Sequence, residues 1–278
     1  LIDVKDGYQL WSERYDRQLD DVFAIQDEIA GAIASVLKAK LLGAVAPAAG
    51  RGAGDPRAYE AYLRGRHQWN KRTESALLRG IEDFERAIAC DPRYAPAYAG
   101  LADSYVVLGM YGLMPPDVVM PKAKEAAQQA LAIDVSLAEA HTSLGCARAV
   151  YDWDWGAADA AFRRAIALNP QYAVARQWYA MNCLVPQGRF ADARAQFERA
   201  QALDPLSPTL NASIGLQEFF ARRYDAAAAK LRETLVIDED FGPAHYFLGQ
   251  VCEQLGQYDE AVQVLERAIA LSERSPET

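Results

Sequence analysis

Three kinds of side chain in this 278-residue sequence could carry chemistry: histidines, cysteines, and a stretch of alternating aspartate and tryptophan. The histidines are His67, His141 and His245, and the cysteines are Cys90, Cys146, Cys183 and Cys252. The histidines form no H-x-x-x-H pair and are widely separated, which argues against a hydrolytic metal site. The cysteines form no C-x-x-C pair and have apolar neighbours, as buried free thiols do, so we expect neither a disulfide nor a zinc site.

The segment Asp152-Trp153-Asp154-Trp155 suits a sugar or a cation, because carboxylates and flat rings bind both ligands. It also suits a turn between two helices, with an aspartate capping the second helix. We favour the turn, since Tyr224 and Tyr258 recur at the corresponding place further along the chain. The sequence has no G-x-G-x-x-G, G-x-x-x-x-G-K or G-x-S-x-G motif. We therefore expect this chain to have no catalytic residue, no metal and no cofactor.

Composition limits the classes of partner. Lys and Arg number 29 against 38 Asp and Glu, a net charge of −9, and no basic run reverses it locally, so nucleic-acid binding is disfavoured. No stretch reaches the roughly 18 to 20 apolar residues that span a bilayer, which predicts no membrane insertion of this segment. The four thiols favour a reducing bacterial cytoplasm over the periplasm.

A repeated helical pattern organises most of the chain. A small residue is followed four positions later by a large apolar residue and three positions after that by another small residue, as in Ala261, Leu265 and Ala268. These spacings place the three residues on one stripe of a helix and allow a second helix to come close. The six copies begin at Gly80, Ala123, Ala158, Ala193, Ala227 and Ala261, so they are 43, 35, 35, 34 and 34 residues apart, and only the second copy, with Ala127, lacks the large residue. A large and a small residue, such as Leu248 and Gly249, precede the pattern and mark a first helix.

This skeleton resembles the tetratricopeptide repeat, whose 34-residue unit is an antiparallel helix pair. The resemblance implies an all-α fold, an α-solenoid built as a right-handed superhelix. The six units would span residues 57–94, 95–137, 138–172, 173–207, 208–241 and 242–275. Two departures from the pattern are expected to matter: Arg64 replaces the small residue of the first unit, and residues 112–120, with Pro115-Pro116, should form a protruding loop.

The first 56 residues do not follow the repeat. Residues 1–41 read as a β-hairpin followed by an amphipathic helix, the remnant of an α/β domain, and residues 42–56 form a linker rich in Ala, Gly and Pro. The hairpin and helix resemble the end of a domain that precedes such arrays in bacterial signalling proteins, namely nucleotide cyclases and membrane-anchored winged-helix regulators. An unpaired strand exposes backbone donors and acceptors, so residues 1–41 are a candidate dimer contact, and the carboxy-terminal helix is another.

The resemblance also implies a concave groove lined by the first helices. The groove-facing positions, carried over unit by unit, are Trp69, Asp103, Val106, Val107, Val150, Gln177, Met181, Leu184, Leu216, Phe219, Phe220, Tyr246 and Gln250. This mostly apolar set predicts binding of an apolar or mildly basic peptide or helix. Alternatively, some of these side chains belong to the core or are covered by the protein itself, because adjacent pairs such as Val106-Val107 cannot both face one way.

Three functions fit these observations. The first is a non-catalytic scaffold or regulatory module of a bacterial signalling protein, which docks a protein or peptide partner. The second is the regulatory fragment of a larger enzyme such as an adenylate or guanylate cyclase. The third is a structural oligomerisation arm.

Overall fold

The computed structural model describes residues 55–273, and it gives side chains up to residue 272. The predicted hairpin and helix of residues 1–41 and most of the predicted linker lie outside the described residues. In the described part all regular secondary structure is helical and there is no strand, which confirms the predicted all-α fold. Its twelve helices form six antiparallel pairs.

The first helices of the pairs are α1 (Pro56–Asn70), α3 (Ala95–Met110), α5 (Ala138–Ala147), α7 (Ala173–Tyr179), α9 (Pro208–Phe220) and α11 (Gly242–Gln254). The second helices are α2 (Glu74–Cys90), α4 (Pro116–Ile133), α6 (Trp155–Leu168), α8 (Phe190–Leu203), α10 (Tyr224–Ile237) and α12 (Tyr258–Glu273). Several helices begin at a residue whose side chain accepts a hydrogen bond from a free amide of the first turn. Asp154 is one of these caps and accepts from the amide of Ala157, which confirms that this segment turns into the next helix.

The repeated pattern corresponds to one packing contact, in which the large residue of a second helix lies on a glycine of a first helix. A Cβ added to Gly249 would lie 2.5 Å from Cγ of Leu265. A Cβ at Gly65 would lie 2.6 Å from the ring of Phe84. Gly65 is therefore the small residue of the first unit, and the expectation that Arg64 takes that place is wrong by one residue. Glycine is needed there because any side chain would hold the two helices apart.

The expected protruding loop in the second unit is also wrong. Helix α4 begins at Pro116, so only residues 111–115 connect it to α3. Proline is well tolerated at a helix start, because its missing N–H would have no partner there and its φ already suits the helix. Val119 and Met120 are buried, and a Cβ added to Gly109 would lie 2.7 Å from the Met120 methyl group. The insertion therefore lengthens a packed helix.

Two neighbouring first helices end in a π turn. Helix α5 continues as a π-helix over Arg148–Asp152, and α7 continues as one over Ala180–Leu184. Gly145 and Ala158 are thirteen residues apart, as are Ala180 and Ala193, whereas Gly215 and Ala227 are twelve apart. These two units thus carry one additional residue between their packing contacts. A π turn accommodates one extra residue without breaking the helix, which explains its place in these two units.

The first helices pack in a continuous row, each against the first helix of the next unit, whereas successive second helices contact one another far less. We call the surface of this row that faces away from the second helices the inner face. Along it the first and fourth units approach each other, so the rings of Trp69 and Trp178 lie 6.4 Å apart. Val106, Val107 and Cys146 belong to the same buried cluster. The protein's own side chains therefore fill the inner face where the first and fourth units meet.

A candidate docking site at the two π turns

The thirteen residues predicted to face a groove fall into two sets. The buried set is Trp69, Asp103, Val106, Val107, Gln177 and Leu184. The partly or well exposed set is Val150, Met181, Leu216, Phe219, Phe220, Tyr246 and Gln250. The six residues of the buried set are inaccessible to a partner, so they do not line an open groove, whereas the seven residues of the other set keep part of their surface exposed.

The polar members of the buried set hold units together. Asp103 forms an ion pair with Arg66 at 2.8 Å and accepts a hydrogen bond from the Ser143 hydroxyl. These contacts join the first three units. The Gln177 amide donates to the Thr209 carbonyl at 3.1 Å and to the Ser213 hydroxyl at 2.9 Å, which joins units four and five. A buried polar group with satisfied partners stabilises and specifies the packing around it.

Three members of the exposed set, Val150, Met181 and Phe220, line one apolar pocket with a volume of about 610 Å³. It is lined by Ala149, Val150, Trp153, Trp155, Met181, Asn182, Val185, Pro186, Gly188, Phe190 and Phe220. These residues come from the carboxyl ends of three successive first helices, from the turns after two of them, and from the first residues of the second helices α6 and α8. The pocket therefore depends on the register of units three, four and five.

Aromatic rings form the rim of the pocket. Trp153 is 69% exposed, and its backbone takes the left-handed conformation with φ 55°. Its ring meets Trp155 edge to face at 5.8 Å. On the opposite side Phe220 is 49% exposed and packs edge to face against Phe219 at 5.7 Å. Contacts between these rings orient them before any partner arrives.

The groove positions predicted from the sequence omit several lining residues, among them Asn182 and Phe190, and Trp155 was considered only as part of the aspartate and tryptophan segment. The additional residue in units three and four was the signal that could have found them. It shifts the end of each first helix relative to the regular repeat, and the turn that follows each of these helices lines the pocket. Groove positions carried over from a regular 34-residue unit do not include that shift.

The chemistry of the pocket is that of binding. None of its lining side chains is charged, and Asn182 is the only one with a polar group besides the tryptophan indoles. Within residues 55–273, no group of three or more His, Cys, Asp or Glu is placed to hold a metal ion. No helix in that same range combines the length and the apolar character needed to cross a membrane.

Histidines and cysteines have structural surroundings. The Nε2 atoms of His141 and His245 lie 3.0 and 2.9 Å from the carbonyl oxygens of Val135 and Glu239, the equivalent contact in units three and six. The four cysteines are free. Burial raises the pKa of Cys183 to about 11, so its thiol stays protonated at neutral pH.

Comparison with known proteins agrees with this architecture. Two family models described as tetratricopeptide repeat match residues 182–243 and 221–277. The putative adenylate cyclase 3 of Rhizobium meliloti is 32% identical over 150 residues, which make up 53% of this chain and 25% of that protein. The transcriptional regulator HilA of Salmonella typhimurium is 26% identical over 144 residues, or 52% of this chain and 26% of that protein. The chain thus spans about a quarter of the length of either relative.

These two matches confirm the expected resemblance to a cyclase and to a transcriptional regulator. Among solved structures, a thermophilic tetratricopeptide-repeat protein of Thermus thermophilus aligns with a TM-score of 0.57 and 17% identity, over 70% of this chain and 98% of that one. At that identity the likeness concerns the fold alone. Residues 182–277 therefore match the tetratricopeptide repeat, and the described residues have the fold of a tetratricopeptide-repeat solenoid.

Proposed function

We propose that this chain is a docking scaffold that holds an apolar or mildly basic segment of a protein partner against the inner face of units three to six. The observation that carries the proposal is the uncharged 610 Å³ pocket, whose rim exposes Trp153 and Phe220. An aromatic surface left in water around a concave apolar site is characteristic of interaction sites. Repeat arrays of this fold bind protein partners, which supports the assignment.

The size of the pocket limits what one anchor residue contributes. An aromatic side chain buries on the order of 200 Å², which at about 25 cal/mol per Å² gives roughly 5 kcal/mol. Association costs an estimated 4 to 15 kcal/mol, so one anchor is insufficient for tight binding. The partner must therefore also contact the exposed residues beyond the pocket, which are Leu216, Phe219, Tyr246 and Gln250. We expect an extended segment or a helix rather than a small molecule.

The test is selection of peptides from a random phage-displayed library on the purified chain, followed by calorimetric titration of the enriched peptides. Phe220→Ala should weaken binding at least tenfold. Tyr258→Ala is the matched control, because Tyr258 is an exposed aromatic residue that does not line the pocket. A library that yields no binding peptide, or peptides that bind Phe220→Ala as tightly as the unchanged chain, would overturn the proposal.

A second proposal concerns the complete polypeptide that contains this array. The 32% identity to a putative adenylate cyclase favours a regulatory segment of a bacterial signalling enzyme. In that case docking at the inner face controls a catalytic domain elsewhere in the polypeptide. The complete gene product should then form cyclic AMP from ATP, and the selected peptides should change that rate. A complete product without cyclase activity would exclude this assignment and leave the docking proposal intact.

A further inference from the structure

Asn182 is the one pocket residue with a side-chain amide. It lies in the π turn that ends α7, and only 7% of its surface is exposed. Its Nδ2 atom makes no hydrogen bond with any residue that the structure describes. Buried polar groups in native proteins are nearly always hydrogen-bonded, so a buried donor without an acceptor needs an explanation.

Three carbonyls of the surrounding turn accept hydrogen bonds from other donors. The carbonyl of Ala180 accepts from the amide of Val185, and that of Leu184 accepts from Arg189. The carbonyl of Cys183 accepts from the side chain of Gln187. None of these three hydrogen bonds involves the Asn182 amide, and Asn182 is one of the residues that line the pocket. A bound molecule can supply the missing acceptor.

The character of that acceptor follows from the lining. A carboxylate would lose its hydration without meeting any cation, because no Lys or Arg lines the pocket. A protonated Lys or Arg side chain carries only hydrogen-bond donors, so it cannot accept a hydrogen bond from the Asn182 amide. A neutral carbonyl oxygen satisfies the amide at the lowest desolvation cost, and every peptide residue carries one.

We propose, resting on the docking function above, that Asn182 determines specificity by donating a hydrogen bond to a backbone carbonyl of the docked segment. The residue at that carbonyl is an uncharged apolar residue, which inserts between Met181 and the rings of Trp153 and Phe220. Asn182 thereby selects a main-chain position and prevents an apolar side chain from binding in arbitrary orientations.

The experiment compares the unchanged chain with Asn182→Leu, which keeps a similar side-chain volume and removes the donor. Removing an unsatisfied donor should stabilise the free protein and raise its Tm by about 2 to 4 °C. The same change should weaken the selected peptides about tenfold. Asn211→Leu is the matched control, because Asn211 is also buried but its amide already donates to the carbonyls of Pro205 and Ser207, so its Tm should fall.

Each result separates this proposal from the docking function. A lower Tm in Asn182→Leu, similar to the loss in Asn211→Leu, would mean that the amide is structural and would overturn the inference. Peptides that bind Asn182→Leu undiminished but fail to bind Phe220→Ala would also overturn it, while docking at the pocket stands. Peptides that bind Phe220→Ala as tightly as the unchanged chain would overturn both the docking function and this inference.

Discussion

Two phenylalanines distinguish the docking surface from the core. Phe162 is fully buried, lies against Gly145, and its ring centroid is 5.4 Å from that of Tyr179. Truncating a core phenylalanine to alanine costs about 3 to 5 kcal/mol, since it removes buried surface and leaves a cavity. Phe220 is 49% exposed, so half of its surface gains nothing from folding. Full burial of such a side chain is worth about 1.5 to 3 kcal/mol, and half of that predicts a loss near 1 kcal/mol for Phe220→Ala.

The free energy of unfolding is measured by urea titration followed by circular dichroism, and binding is measured by calorimetry with a library-selected peptide. Phe162→Ala should lose several times more stability than Phe220→Ala. Phe220→Ala should nevertheless lose at least tenfold in affinity, which corresponds to about 1.4 kcal/mol. A stability loss for Phe220→Ala of about 3 kcal/mol or more would refute the reasoning, because it would place this side chain in the core.

Further predictions concern packing, pH and thiol access. Gly249→Ala should destabilise the array by about 1 to 3 kcal/mol in urea titrations, because its Cβ would overlap Leu265, whereas Gly156→Ala, whose Cβ meets nothing closer than 3.7 Å, should be neutral or stabilising. Burial by itself raises the pKa of Asp159, but hydrogen bonds from Arg163 and the Tyr179 hydroxyl outweigh it and hold that pKa below its usual range. The carboxylate form therefore stabilises the fold above the ordinary pKa, so Asp159→Asn should cost about 1 kcal/mol at neutral pH and progressively less below about pH 4, as followed by thermal melts across pH. Native labelling with iodoacetamide, read by mass spectrometry, should modify the half-buried Cys90 before the three buried thiols, and equal rates at all four would contradict the burial described.

Repetition made most of the fold predictable from sequence. The spacing of small and large residues specifies helix faces, and each contact it implies is local, within one helix pair or between neighbouring pairs. The contacts of Phe162 with Gly145 and of Leu265 with Gly249 follow from that spacing. The register of the first unit was misjudged because Arg64 and Gly65 are adjacent, and only the position of the Phe84 ring identifies the residue that must be small.

The sequence by itself determined the helical class, the spacing of the residues that pack two helices together, and the absence of motifs for the common chemistries. Tertiary structure alone decided which inner-face residues a partner can reach. The approach of Trp69 to Trp178 joins units that lie far apart along the chain, and the resulting burial of Val106 and Val107 depends on curvature accumulated over four units. The curvature of such an array is the sum of small rotations between neighbouring units, and the two π turns alter the ends of two first helices. No pattern within a single unit encodes that sum.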